Sequence, residues 1–404
     1  MLKLLAIAQF IPLPDRHAGM LRFFRMIEIL STRYQVSFFA SEITDQLHRY
    51  GILAIADHEA HLRDRGIGIH YGSQTVLNRL LHQDKFDIVV FEYYQLATQY
   101  LDDIRYLQPQ ARAVIDTIDI SFERLLSKAR SSGKSEDFQI AAKEKKAELS
   151  AYQRSDLVIA ISDQEKQSLA REDDSLAVDV IPLIMPLPQL GPPRDGSSCN
   201  LLFVGNFDHA PNVDAITFFC TRIFPDVKKA IPCATLTIVG ASPRKSVLDL
   251  ASDDVRVLGF VQDLKPYYEG SDIAIAPLTW GAGLKGKVAE AMCYGLPVVA
   301  TTVGIDGFGL SPGENVILGD TPMDFTDGLV TLYKDRALYE RVRTNARKFV
   351  ETNYTGKRIE ERVNAVFDRV ERLPPKGLSL PKRLKLSFPD LLDRHLLWRF
   401  RRNA

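Results

Sequence analysis

Short, nearly unbroken apolar runs alternate with segments of helical period along this chain. Leu2–Phe10, Gln35–Ala40, Asp87–Glu92, Arg112–Thr117 and Leu157–Ser162 read as strands, and Met20–Leu30 carries a helical stripe between the first two. Runs that are apolar at successive positions, not at every second one, suit a parallel sheet covered on both faces. Strand–helix alternation predicts a doubly wound α/β unit. A second and clearer series follows in Leu201–Gly205, Thr235–Gly240, Val255–Phe260, Ile273–Leu278, Pro297–Thr301 and Val316–Gly319. The last long helical pattern, Asp335 to Arg372, is expected to break near Asn353–Gly356.

Between the two series lies Ile181–Ser198, with five prolines and no helical period. Such proline density suits an extended connector. The predicted division is an N-terminal domain over 1–184, a linker over 185–198 and a C-terminal domain over 199–352. A helix over 353–373 is expected to pack back on the N-terminal domain, followed by a tail over 374–404. Two α/β domains on one linker imply a cleft between them, a common place for ligands.

The 404 residues are too many for one ordinary core and enough for two. Lys+Arg and Asp+Glu both total 51, so nothing global favours nucleic acid, whose phosphates select a basic excess. Cys199, Cys220, Cys233 and Cys293 form no CxxC pair and have no His cluster beside them. Neither a structural metal site nor a disulfide framework is expected, and reduced thiols fit the cytoplasm. The opening MLKLLAIAQFIPLPDRH has a short apolar stretch and no small-residue cleavage pattern, so it reads as a buried first strand. No apolar run approaches the ~20 residues that span a bilayer.

Most informative is Ala276–Gly304, APLTWGAGLKGKVAEAMCYGLPVVATTVG. A strand ends near Leu278, the loop Gly281-Ala282-Gly283 follows, and a helix runs from about Lys285 to Tyr294, where Gly295 stops it. Strand, glycine turn and helix N-terminus together make an anion site, because free N–H groups point outward and the helix dipole favours negative charge. Glycine, here Gly283, lets a phosphate approach the backbone closely. Lys285 and Lys287 add cations. Glu290, three residues after Lys287, shares its helix face. Its carboxylate can accept from both ribose hydroxyls while the lysines meet a diphosphate. A surface Lys–Glu pair at a helix start is the plainer alternative.

This block resembles the donor-binding signature of the GT-B fold glycosyltransferases, family 4. The resemblance extends over FVGNFDHAPNVDAITFF, TIVG and VRVLGFVQDLKPYYEGSDIAIAPL, about 150 residues in all, and more loosely over the N-terminal half. It implies two Rossmann-like doubly wound domains facing across a cleft. It also implies transfer of a sugar from a nucleotide-diphosphate sugar to a hydroxyl acceptor, with retention of configuration, in bacterial polysaccharide or glycoconjugate synthesis. The nucleotide sugar is then a substrate, and no separate cofactor or metal is expected. In that resemblance Glu290 matches the glutamate on the donor ribose, and Lys287 and Lys285 match basic residues at the phosphates. Val261 matches the segment at the base, Gly205 the glycine beneath the phosphates, and Gly19 the last glycine of a cleft-facing loop.

Two departures stand out. Many relatives carry a second glutamate eight positions before Glu290, where this chain has Ala282, and an Arg and a Lys after the first strand, where it has Asn206–Asn212. Lys285 and Lys287 are therefore expected to supply most of the cationic contacts.

Candidates in the N-terminal half are His17, Gly19 and Arg22 after the first strand, Glu92 at the end of Asp87–Glu92, and Asp116 and Asp119 after Arg112–Thr117. Asp119 is the candidate near the acceptor hydroxyl. Capping the following segment is the other reading of the two aspartates. Two other functions remain open at this point: a sugar-nucleotide epimerase of the same architecture, and a non-catalytic nucleotide-sugar-binding scaffold. Residues 376–404 carry eight basic residues against two aspartates, with Trp398 and Phe400 among them. A tail of that kind can lie on an anionic membrane, which would suit a lipid-linked glycan acceptor at the inner face of the membrane. Packing on the N-terminal domain is the alternative.

Overall fold

A computed structural model describes residues 1–16, 18–191 and 198–387. The first sheet contains β1 (Lys3–Ala8), β2 (Gln35–Ala40), β3 (Gly68–Tyr71), β4 (Ile88–Glu92), β5 (Arg112–Asp116), β6 (Leu157–Ala160) and β7 (Val178–Val180). All are parallel, in the order β3-β2-β1-β4-β5-β6-β7. The second contains β8 (Cys199–Val204), β9 (Ala234–Val239), β10 (Val255–Gly259), β11 (Ile273–Ala276), β12 (Val298–Ala300) and β13 (Ile317–Leu318). These too are parallel, in the order β10-β9-β8-β11-β12-β13.

The apolar runs have the cause inferred for them. In β1, Leu4, Ala6 and Ala8 enter one core while Leu5 and Ile7 enter another on the opposite face, so every position after Lys3 is dry. β3 and β7 went unread. They are edge strands of four and three residues, too short to carry a pattern.

Each sheet reverses its strand order once, between β1 and β4 in the first and between β8 and β11 in the second. At such a point the loops leave the carboxyl ends in opposite directions and open a crevice. Both crevices face the same cleft.

The chain crosses between domains twice. After β7 it runs without regular structure through Leu183 and Met185, which are buried. It returns where the helix Arg336–Tyr354 meets the helix Gly356–Arg372 at Gly356, whose φ is +67°. The Met185 N–H donates to the Tyr354 carbonyl at 2.8 Å, so the two crossings lie side by side. The helix Gly356–Arg372 then buries Ile359, Val363, Phe367 and Val370 in the core that holds Leu4 and Ala6. Beyond it the Lys376 N–H donates to Asp156 Oδ1 at 2.7 Å and Lys382 Nζ pairs with Asp102 at 2.6 Å. The start of the basic tail thus lies on the N-terminal domain. The rest of it, residues 388–404 with Trp398 and Phe400, falls outside the described residues. Among the described residues no helix is long and apolar enough to cross a membrane.

Candidate active site

The helix Gly286–Cys293 follows β11 through the glycine turn. Gly281 and Gly283 have φ of +145° and +69°, conformations that side chains with a Cβ rarely adopt. Lys285 stands at the N-cap and makes no side-chain cap bond, so the first N–H groups of the helix face the cleft. The turn also touches the opposite domain. The Gly281 N–H donates to Ser127 Oγ at 2.9 Å, and a methyl on Gly283 would lie 3.2 Å from Asp119 Cβ. At Gly286 the approach is closer, since a methyl there would fall 2.0 Å from Ala18 Cβ, at the start of the helix Ala18–Ser31. Two helix N-termini, one from each domain, therefore meet in the cleft. Gln164 Nε2 to Asp306 Oδ1 at 2.7 Å, and the Arg16 guanidinium 3.8 Å from the Phe260 ring centroid, also bridge the domains.

The space enclosed is about 790 Å³, within the range of small-ligand sites. Gly19, Asp119, Gly205, Lys285, Lys287 and Glu290 all line it, so six sequence candidates from both domains converge. Glu290 Oε2 accepts from the Tyr268 hydroxyl at 3.0 Å, and Tyr268 stacks on Tyr294 with ring centroids 4.7 Å apart. Burial raises the Glu290 carboxyl to about 7. Lys285 is buried and donates to the Gly283 carbonyl. Burial lowers it to about 8, against the pull of Asp306, Glu165 and Asp119. Lys287 donates to Asn212 Oδ1 and lies 4.4 Å from the Phe203 ring centroid. Burial, with Lys285 as the second cause, lowers it to about 7. Burial is the first cause for both lysines, and among the described residues no carboxylate is bonded to either. An incoming polyanion would restore their charge.

Other candidates are placed differently. Arg22 borders the cavity, but its guanidinium is 1% exposed and fully engaged. Nη1 donates to both Asp116 oxygens at 2.8 and 2.6 Å, and Nε and Nη2 donate to the Ile181 carbonyl. Arg22 is therefore a structural clamp and not a free contact for an acceptor. Glu92 does not line the cavity. It is buried behind Tyr93, and burial with Asp116 beside it raises its carboxyl to about 8. Val261 packs against the C-terminal core, and Leu264 lines the cavity near it instead. His17 lies outside the described residues. Neither aspartate caps the helix Ser121–Ser132: its first N–H groups, on Ser121 and Phe122, go to the Glu148 carboxylate at 3.0 and 2.8 Å. Asp119 instead accepts from Arg124 Nε at 2.7 Å, and both line the cavity.

Three residues escaped the sequence reading. Arg124 lies on the helix Ser121–Ser132, and only the fold turns it onto Asp119. Asn212 carries no pattern that marks it. Glu165 lies in the first turn of the helix Asp163–Glu172, where its N–H donates to the capping Ser162 Oγ at 3.1 Å. Its carboxylate also stands beside Gly283, with Oε1 buried and unpartnered, and burial raises it to about 8. Tyr93 and Ile118, at the ends of β4 and β5, hold φ of +67° and +57° and line the cavity. Such strain in non-glycine residues gathers at functional sites. Among the described residues no group of three or more His, Cys, Asp or Glu could hold a metal ion.

Two doubly wound sheets with their switch points turned to one cleft define the GT-B architecture. Residues 198–335 match the family described as Glycosyl transferases group 1. An uncharacterized 44.6 kDa protein of the cps region of Klebsiella pneumoniae is 28% identical over 174 residues, 41% of this chain and 45% of that protein. An uncharacterized glycosyltransferase of Methanocaldococcus jannaschii is 27% identical over 104 residues, 25% of this chain and 26% of that one. The chain thus spans less than half the length of these relatives. Among solved structures, HepE of Anabaena in complex with UDP-glucose superposes with a TM-score of 0.67 at 14% identity, covering 91% of this chain and 100% of that one. Sucrose-phosphate synthase of Thermosynechococcus elongatus gives 0.64 at 15% identity, covering 91% and 99%. These likenesses establish the fold.

Proposed function

We propose that this protein is a glycosyltransferase that moves a sugar from a nucleoside-diphosphate sugar to a hydroxyl of a glycan acceptor. The observation that carries the reading is the convergence in one cavity of both switch points, two helix N-termini, Lys285, Lys287 and Glu290. Glu290 accepts from the donor ribose hydroxyls. The lysines and the N-terminus of the helix Gly286–Cys293 take the diphosphate. Negative charge grows on that diphosphate as the sugar leaves, so donors fixed there before reaction lower the barrier. This assignment asks no metal ion to neutralise the phosphates. Asp119, held by Arg124, faces the acceptor side, and transfer proceeds with retention. The relative in a cps region supports a polysaccharide as the acceptor class, and the basic segment 376–404 supports work beside a membrane.

The test is a thermal-shift screen against UDP, GDP, ADP, CMP and dTDP, followed by product analysis with the stabilising donor. A ligand at ~100 times its dissociation constant stabilises the fold by about 2.7 kcal/mol. Sugar transfer that requires an acceptor supports the reading, whereas an isomerised donor without one would make the protein an epimerase. Glu290→Gln is expected to weaken donor binding by about 1.5–3 kcal/mol with the melting curve retained. Unchanged donor affinity would remove Glu290 from the ribose.

A further inference from the structure

Asn212 sits in the helix Ala210–Phe218 that follows β8, and its amide is fixed from both ends. Nδ2 donates to the Asn206 carbonyl at 2.8 Å, which turns Oδ1 toward Lys287, where it accepts from the ammonium. The residue is 7% exposed. Gly205 makes the room, since a methyl there would stand 2.9 Å from Asn212 Cγ. Beneath the ammonium lies the Phe203 ring. An amide oxygen and a ring face are both neutral, so they hold the ammonium without cancelling its charge. Lys285, at the N-cap of the same helix, is the charged group that acts on it, and Glu290 lies three residues further along the helix. The phenol of Tyr268, on the helix Lys265–Gly270, is bonded to Glu290.

We infer that Asn212 is a positioning residue for Lys287, holding its ammonium at the phosphate end of the cavity as an uncompensated cation. The inference rests on the reading of Lys287 as a phosphate ligand. It gives a role to a residue in the stretch Asn206–Asn212 where no cation stands. Aspartate at the same place would neutralise the lysine, and alanine would leave the ammonium without its protein acceptor.

Loss of the acceptor should lower the Lys287 titration, which removal of a merely structural asparagine would not do; the aspartate adds a charge and reports only that the two groups are in contact. The experiment uses full-length protein labelled with ¹³C,¹⁵N-lysine, with the Lys287 resonance assigned by its loss in Lys287→Arg. Its titration is followed in wild type, Asn212→Ala and Asn212→Asp. Asn212→Ala is expected to move it down, and the isosteric Asn212→Asp up, each by about one pH unit. Binding of UDP, GDP and ADP is measured alongside by calorimetry at pH 6 and pH 8. Asn212→Ala should lose affinity mainly at pH 8, by about tenfold, and Asn212→Asp at both. If the alanine variant does not fold, Asn212→Leu, which keeps the volume and removes the acceptor, takes its place with the same expectation. A Lys287 titration unmoved by the variants overturns the inference, and the donor reading survives if Lys287→Ala still weakens nucleotide binding. Titrations that move as expected in a protein that binds no nucleoside diphosphate sustain the positioning by Asn212 and sink the phosphate reading.

Discussion

Arg22 meets Asp116 in a place from which water is excluded, and it holds the carbonyls at the start of the linker as well. Removing one partner of a buried pair leaves the other charge uncompensated, which costs about 3–5 kcal/mol. Arg22→Met is therefore expected to lower the N-terminal domain's denaturation midpoint strongly, and Arg22→Met with Asp116→Leu to recover most of the loss. A single variant as stable as wild type would show that the pair holds nothing together. Both residues had been legible as polar groups near strand ends. That they satisfy each other was not, because they lie 94 positions apart and only the parallel sheet brings them together. Glu290 and Lys287 were legible because their chemistry is local. A glycine turn, a helix start and a spacing of three are all written within a dozen residues.

Among the elements, the helix Gly356–Arg372 belongs in sequence to the end of the second domain and in space to the core of the first. Phe367 is fully buried there and packs against Tyr34 at a tilt, with ring centroids 6.0 Å apart. Arg33 adds ion pairs to Asp368 and Glu371 on the same helix. Phe367→Ala should destabilise the N-terminal domain by about 3–5 kcal/mol through the cavity it leaves. Calorimetry would register this as a fall in that domain's transition, with the other one little changed. A fall confined to the C-terminal domain's transition would contradict the packing. The periodicity of this helix, and the break before it near Asn353–Gly356, could be read directly. The edge strands β3 and β7 could not, since a strand of three or four residues is recognised only by the neighbour it pairs with.

For the whole molecule one tight junction between the domains is Gly286 against Ala18. A side chain at Gly286 would overlap the Ala18 methyl and compete with domain approach. Gly286→Ala should hold the cleft open, with a larger radius of gyration by small-angle scattering and turnover reduced roughly tenfold through lost alignment of the reacting groups. Unchanged turnover would mean that the two helix starts need not meet for reaction. From the sequence alone came what is local or periodic: two doubly wound α/β series, the proline-rich connector between them, and the glycine turn with Lys285, Lys287 and Glu290. Only the tertiary structure decided that Arg22 is a clamp, that Glu92 lies behind Tyr93, that Asn212 holds Lys287, and that Asp119 and Glu165 stand against Gly283 of the other domain. Periodicity reports which face of an element is buried, because burial repeats with the backbone's own geometry. The partner that a buried polar group finds on another element depends on how sheets and helices are finally stacked, and no stretch of sequence carries that arrangement by itself.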